Sequence, residues 1–318
     1  MVTHAHGDHL RWGCERYLVA APGLGVTRAR LGAQGDRAEA IPYGEPRTIN
    51  GVRVSLHPAG HILGSAQVRV EHRGEVWVVS GDYKVDPDPT CAPWEPVRCH
   101  TFVTESTFGL PIYRWPAPAQ LFTDINAWWR ANAAEGRVSF LYGYALGKAQ
   151  RLLAGVDPSI GPILLHGAVE AMTACYRAAG VALPATQPAT AQRGRHAGAL
   201  VIAPPATQDS AWARRFGPAE GAFASGWMLV RGMRRRRALA RGFVLSDHVD
   251  WPQLMGAIDA SGAQSVWVTH GFSDVVVRHL VERGLDARAI PTRWEGDAAA
   301  DGTEEAGAPD GASLPGNR

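Results

Sequence analysis

The sequence predicts an α/β fold in which a strand-rich opening is interrupted by a long βα-alternating segment and then resumed. Three observations carry this. Two-residue hairpin signals recur between Ile41 and Asp82, apolar strands alternate with helical periods after Glu105, and a strand–helix–strand–helix pattern returns from Phe243 onward. The chain has 318 residues, of which 46% are apolar and 19% charged, with 36 glycines and 22 prolines. That composition excludes a low-complexity chain, and the length allows two domains or one fold carrying a large insertion.

In order along the chain, Asn50-Gly51 separates Arg47–Ile49 from Val52–Leu56, and Arg73-Gly74 separates Ala66–His72 from Glu75–Val79. Both are tight-turn dipeptides between strand-forming runs. Pro118–Ala133 and Leu146–Ala154 have helical spacing around an apolar strand, Val138–Leu141. Pro162–Leu165 and Ala199–Ala203 read as buried strands, with a helix over Val169–Ala179 between them. The return comprises a strand at Phe243–Leu245, a helix at Trp251–Ala260, a strand at Ser265–Thr269 and a helix at Asp274–Arg283. The stretch from Gly296 lacks apolar periodicity and is expected to be a disordered acidic tail. Gly143–Ala149 imitates a P-loop, but it is one residue short and lacks the Ser/Thr that would hold magnesium.

Thirty-two Lys and Arg oppose 30 Asp and Glu. Six acids and one base fall in Glu295–Arg318, so the body before it carries +7 and is compatible with a polyanionic partner. The cysteines, Cys14, Cys91, Cys99 and Cys175, show no Cys-x-x-Cys spacing and are expected to be reduced thiols. No run approaches ~18 apolar residues and no signal peptide is visible, so a membrane partner is not expected and the predicted location is cytoplasmic.

The chemistry concentrates in His4-x-His6-x-Asp8-His9, which places three imidazoles and a carboxylate within six residues. These ligand types suit zinc and similar divalent ions. A short strand ending at Thr3, followed by a bend, would let two ligand pairs serve two adjacent metals. One loop cannot complete such a site. His61, Asp82 and His270 each follow an apolar β-run and are flanked by small residues, so they are the candidates to complete it.

Together the HxHxDH loop, His61 after a glycine, the Gly81-Asp82 pair and the late His270 resemble the metallo-β-lactamase fold of dinuclear hydrolases. Thr104–Gly109, Ser246-Asp247-His248-Val249-Asp250 and Thr269-His270-Gly271 resemble the marker acid and two marker histidines of the β-CASP nucleases. From Met1 to about Glu295 the chain is most similar to the bacterial ligase-associated DNA exonucleases. Pro58–Asp82, Glu105–Trp115 and Ala145–Leu153 carry most of that likeness.

The resemblance implies an αββα sandwich with an inserted β-CASP-like α/β domain. Residues 1–110 and 243–295 would form the sandwich, 111–242 the insertion and 296–318 the tail. It also implies strands ahead of the HxHxDH loop, so a start codon assigned too far downstream is expected. By the same resemblance, His4, His6 and His61 would bind one metal and Asp8, His9 and His270 the other, with Asp82 bridging. The two divalent ions would be zinc, with manganese as the alternative. His248 would be the general acid, oriented by Glu105.

The implied activity is a DNA exonuclease working in repair with an ATP-dependent ligase and a helicase. A ribonuclease acting on RNA ends is the nearest rival, and a glyoxalase-type thioester hydrolase and a nucleic-acid-binding pseudoenzyme are more distant ones. Lys84, Lys148 and the run Arg234, Arg235, Arg236 and Arg237 are the candidate phosphate contacts, although the arginine run reads equally well as a solvated helix face. Trp128, Trp129, Trp227 and Trp251 could stack on bases, but core packing is their default.

Overall fold

The fold opens on a short parallel pair, β1 (Tyr17–Ala20) and β2 (Ala38–Ile41), joined through helix α1 (Leu24–Leu31), in a computed structural model that describes residues 1–190, 196–230 and 241–291. This unit has no counterpart among the sequence-based expectations. Its strands are four residues long, and its helix turns only Val26, Thr27 and Leu31 inward. No strand forms at Thr3. Instead the Val2 amide donates to the Leu18 carbonyl (2.9 Å) and the Thr3 carbonyl accepts from Ala66 (2.7 Å), which pins the segment between two different strands.

Both hairpins form where the turn dipeptides place them. Strands β3 (Arg47–Ile49) and β4 (Val52–Pro58) pair antiparallel, as do β5 (Ala66–His72) and β6 (Glu75–Val79). Asn50 (φ 49°) and Gly51 (φ 76°) both take positive φ, the geometry of a two-residue turn that matches strand twist. Strand β7 (Thr101–Glu105) follows, fully buried.

The next region runs α2 (Pro118–Ala134), β8 (Val138–Tyr142), α3 (Lys148–Gly155), β9 (Ile163–Leu165), α4 (Gly167–Ala178), β10 (Gln187–Pro188), β11 (Leu200–Ala203), α5 (Ala211–Arg214), β12 (Ala219–Ala224) and β13 (Arg241–Phe243). Leu121, Ile125, Trp128, Trp129 and Asn132 share the buried side of α2 at three- and four-residue spacing, and Pro118 starts that helix where its missing N–H costs nothing. Strand β13 lies two residues ahead of the expected Phe243–Leu245, because pairing stops at Ala224↔Phe243. The chain closes with α6 (Trp251–Ser261), β14 (Ser265–Thr269), α7 (Ser273–Glu282) and β15 (Asp286–Ala289).

Two larger sheets result. One is mixed, in the order β15-β14-β7-β6-β5-β4-β3, and the other is wholly parallel, in the order β10-β9-β11-β8-β12-β13. The parallel sheet lies in sequence between β7 and β14 of the mixed one. Strands β6, β7 and β14 run parallel, and β4 points the same way through two antiparallel pairings. The carboxyl ends of these four strands therefore open on one edge of the mixed sheet, where irregular loops can carry chemistry. The four cysteines are free thiols, and among the described residues no helix is long and apolar enough to cross a membrane. The Arg234–Arg237 run and the acidic tail lie outside the described residues.

Candidate metal centre

Each of the four strand ends delivers a candidate residue: His61 after β4, Asp82 after β6, Glu105 at the end of β7 and His270 after β14. Thr269↔Glu105 register puts the last two side by side. The amino-terminal loop reaches the same edge because a Cβ on Gly81 (φ 58°) would lie 2.6 Å from Thr3 Cβ. Only glycine permits that approach.

Asp82 is the centre of the arrangement. Its Oδ2 lies 3.4 Å from Nε2 of both His4 and His9 and 3.9 Å from His61 Nε2. Thr3 Oγ1 is 3.2 Å from Nδ1 of His4 and of His9. A hydroxyl oxygen can accept from both Nδ1–H groups, which leaves both Nε2 atoms as lone pairs. Those two nitrogens are buried with no hydrogen-bond partner.

On the other side, His61 Nδ1 donates to the Asp247 carbonyl (2.9 Å) and His6 Nε2 donates to the Leu146 carbonyl (3.1 Å). A neutral imidazole has a single N–H, so His61 Nε2 and His6 Nδ1 face each other across 3.1 Å as two lone pairs. Burial keeps the rings neutral. It drives His4 and His61 well below their usual range and His6 down to about 4, and it also lowers His9. Asp82 is pushed well above the usual carboxylate range by burial and then by the Glu105 charge.

Four imidazole nitrogens thus converge as lone pairs around the Asp82 carboxyl, whose proton a bound cation would displace. That is a donor set for a cation, and unpaired buried polar atoms are otherwise rare. Three clusters could each hold an ion, their ligand atoms lying within 4.8 Å of one another: His4, His6, His61 and Asp82; His4, Asp8 and His9; and Asp82, Glu105 and His248. The first brings together the expected triad. Asp8 and His9 cluster with His4 rather than with His270. The His270 ring instead stacks on His9 with centroids 5.5 Å apart, and its Nδ1 lies 2.7 Å from Thr269 Oγ1.

His248 is buried, and its Nδ1 lies 3.0 and 2.9 Å from the two Glu105 oxygens. Burial alone would raise the Glu105 carboxyl, but the charge and hydrogen bond of His248, with bonds from Thr107 and the Tyr83 amide, hold it below its usual range. The pair therefore keeps a carboxylate on Nδ1 of the His248 imidazole, whose ring lies 4.8 Å from that of His61.

The lysines expected along a nucleic-acid path are placed differently. Lys84 and Lys148 are each only 2% exposed. Lys84 pairs with Asp86 at 3.2 Å; Lys148 pairs with Asp247 at 3.4 Å and sits over the Tyr144 ring. Both ammonium groups are paired with carboxylates, Lys148 with the buried Asp247 and Lys84 with the partly exposed Asp86, as a buried charge requires. Trp128 and Trp129 are core, while Trp227 and Trp251 are half-buried. Sequence reasoning missed Thr3, Asp247 and Arg151. The signals available were the position of Asp247 directly before His248 and of Arg151 one helical turn after Lys148.

No family profile matches the chain. Over 293 residues it is 36% identical to the "Probable DNA ligase" of Opitutus terrae, covering 91% of this chain and 28% of that protein. It is 29% identical over 163 residues to cleavage and polyadenylation specificity factor 73 of Drosophila melanogaster, covering 49% and 23% of the two chains. Endoribonuclease YSH1 of Candida albicans is 29% identical over 175 residues, covering 49% and 20%. The chain is homologous to these proteins. It spans about a quarter of their length. A solved structure of a protein of unknown function from Enterococcus faecalis V583 superposes with a TM-score of 0.57 at 13% identity, covering 92% of this chain and 79% of that one, a likeness of fold alone.

Proposed function

We propose that the chain is a dinuclear metal-dependent phosphodiesterase of the β-CASP type within the metallo-β-lactamase fold, acting on DNA as an exonuclease. The observation that carries this is the convergence of His4, His6, His9 and His61 on Asp82 beside the buried Glu105–His248 pair. Homology across 91% of the chain to a probable DNA ligase favours DNA and a role beside a DNA ligase; an ATP-dependent ligase and a helicase as partners in repair rest on the motif resemblance. Homology to endoribonucleases supports the second reading, cleavage of RNA ends. Residues 1–110 and 243–295 would form the metallo-β-lactamase part and 111–242 the insertion, a division that follows the two sheets.

In this reading His4, His6 and His61 would hold one ion and Asp8, His9 and His270 the other, with Asp82 as the ligand shared by both. Bound zinc or manganese would supply an activated water and neutralise charge on the phosphoryl oxygens. The chain's own groups do the rest. Glu105 fixes the proton on His248 Nδ1 and favours the charged imidazole. Nε2 of that ring then carries the proton to the leaving oxygen.

Incubation of the zinc- or manganese-loaded chain with end-labelled single-stranded DNA and RNA of one sequence tests this. Progressive shortening of DNA is expected. Shortening of RNA alone moves the assignment to the ribonuclease, and hydrolysis of neither, with turnover of a thioester, would overturn it.

A further inference from the structure

Two of the four converging imidazoles take their outer hydrogen bond from chain remote in sequence. His6 donates to Leu146, which immediately precedes Gly147 and α3, and His61 donates to the main chain of Asp247. The α3 amino end is pressed against the His61 loop. A Cβ on Gly147 (φ 87°) would lie 2.2 Å from Ile62 Cγ2. Asp247 itself is gripped by α3, with its carboxylate 3.4 Å from Lys148 Nζ and 3.7 Å from Arg151. Arg151 also pairs with Asp88 at 3.3 Å and donates to the Ser246 carbonyl. Every side chain in this cluster is at most 7% exposed.

Burying so many charges is not a cheap way to stabilise a fold, since apolar residues of the same volume would serve as well or better. What the ions specify is position. The salt links hold residues 246 and 247 in place, and the carbonyl they hold is the one that selects the His61 tautomer.

We infer that the Lys148–Asp247–Arg151 cluster is a positioning device for the metal ligands: it holds the Asp247 carbonyl on His61 Nδ1 and thereby presents His61 Nε2 to the ion. The inference deepens the metal reading above and rests on it. It makes ion affinity depend on how α3 docks against the loop that carries Asp247 and His248. The group that acts on His61 is a main-chain carbonyl, so no acid or base at Asp247 is required.

Imidazole ¹⁵N NMR of the full chain, read without added metal and again with zinc, tests it together with zinc titration against a chromophoric chelator. In the native chain His61 should be the Nδ1–H tautomer, with that proton protected from solvent exchange. In Arg151→Met the protection should be lost and the affinity for one ion should fall about 10–100-fold, the usual range when the partner of a ligating histidine is removed. Arg151→Lys, which keeps the charge, should recover most of the loss. If Arg151→Met does not fold, Asp247→Asn carries the test, because it removes only the charge that α3 grips. Unchanged His61 protection and zinc affinity in a folded variant would overturn the inference. A native chain that binds no zinc would instead overturn the metal reading and leave the tautomer measurement to decide this one.

Discussion

His4 and His9 are oriented by one hydroxyl, that of Thr3, supplied by the same short segment. His6 and His61 are oriented by carbonyls 140 and 186 residues away. The two halves both turn imidazole lone pairs toward the site, Nε2 of His4, His9 and His61 and Nδ1 of His6, but they depend on different parts of the molecule. One half needs only that its own loop be pinned between β1 and β5. The other needs the parallel-sheet region to dock correctly, so the geometry of the candidate site depends on the joining of both sheets.

The largest expected effect lies on neither half. His248→Ala should keep its metal and lose about 10²–10⁴ in turnover, the range for a general acid, whereas His270→Ala should lose one ion. Elemental analysis beside single-turnover kinetics separates the two, and equal metal loss would show that both rings serve the ions. Thr3→Val breaks the local half alone. It should weaken zinc binding by about 10–100-fold without moving the His61 signals, and an unaltered affinity would mean that the hydroxyl orients nothing.

Gly147→Ala attacks the remote half through the backbone. Gly147 has φ 87° and ψ −73°, a region sparsely populated by non-glycine residues and costing them about 1–3 kcal/mol, and contact with Ile62 adds to it. Thermal unfolding should register this, with His6 and His61 perturbed more than His4 and His9.

Acid should affect both halves together. In the metal-free chain His6 titrates near 4 rather than at its usual 6.5, and His4 and His61 are also depressed. Four depressed imidazoles outweigh the one raised carboxyl, Asp82, so the unfolded state binds more protons and stability should fall as pH drops below 6.5 toward 4. Each such imidazole contributes up to about 1.4 kcal/mol per pH unit there. Chemical unfolding across that window checks the sign, and stability rising toward low pH would contradict the burial of neutral rings.

What could be read from the sequence follows the same division. His4, His6, Asp8 and His9 declare themselves by spacing, and the Asn50-Gly51 and Arg73-Gly74 hairpins by local turn chemistry. Ser265–Thr269 forms a strand over the residues expected. Strand β12, Ala219–Ala224, was not foreseen because its alanines and glycine have little strand preference. It exists by parallel pairing with β8 and β13. The Leu146 and Asp247 carbonyls were not legible as ligand supports because a main-chain carbonyl has no sequence signature, and the positions of Asp247 beside His248 and Arg151 beside Lys148 hinted at proximity but not at the tertiary grip. Lys84 and Lys148 show the limit from the other side: their charge suggested phosphates, and the fold buries both ammonium groups beside Asp86 and Asp247, a placement that spacing does not announce.

The central claim is that Asp82 joins the two halves into one dinuclear site, and metal content tests it most directly. After zinc loading and dialysis, elemental analysis of the native chain should return two ions per molecule, and Asp82→Ala should lose most of them while remaining folded by circular dichroism. Full retention of zinc by Asp82→Ala, or a native chain that holds none, would contradict the account.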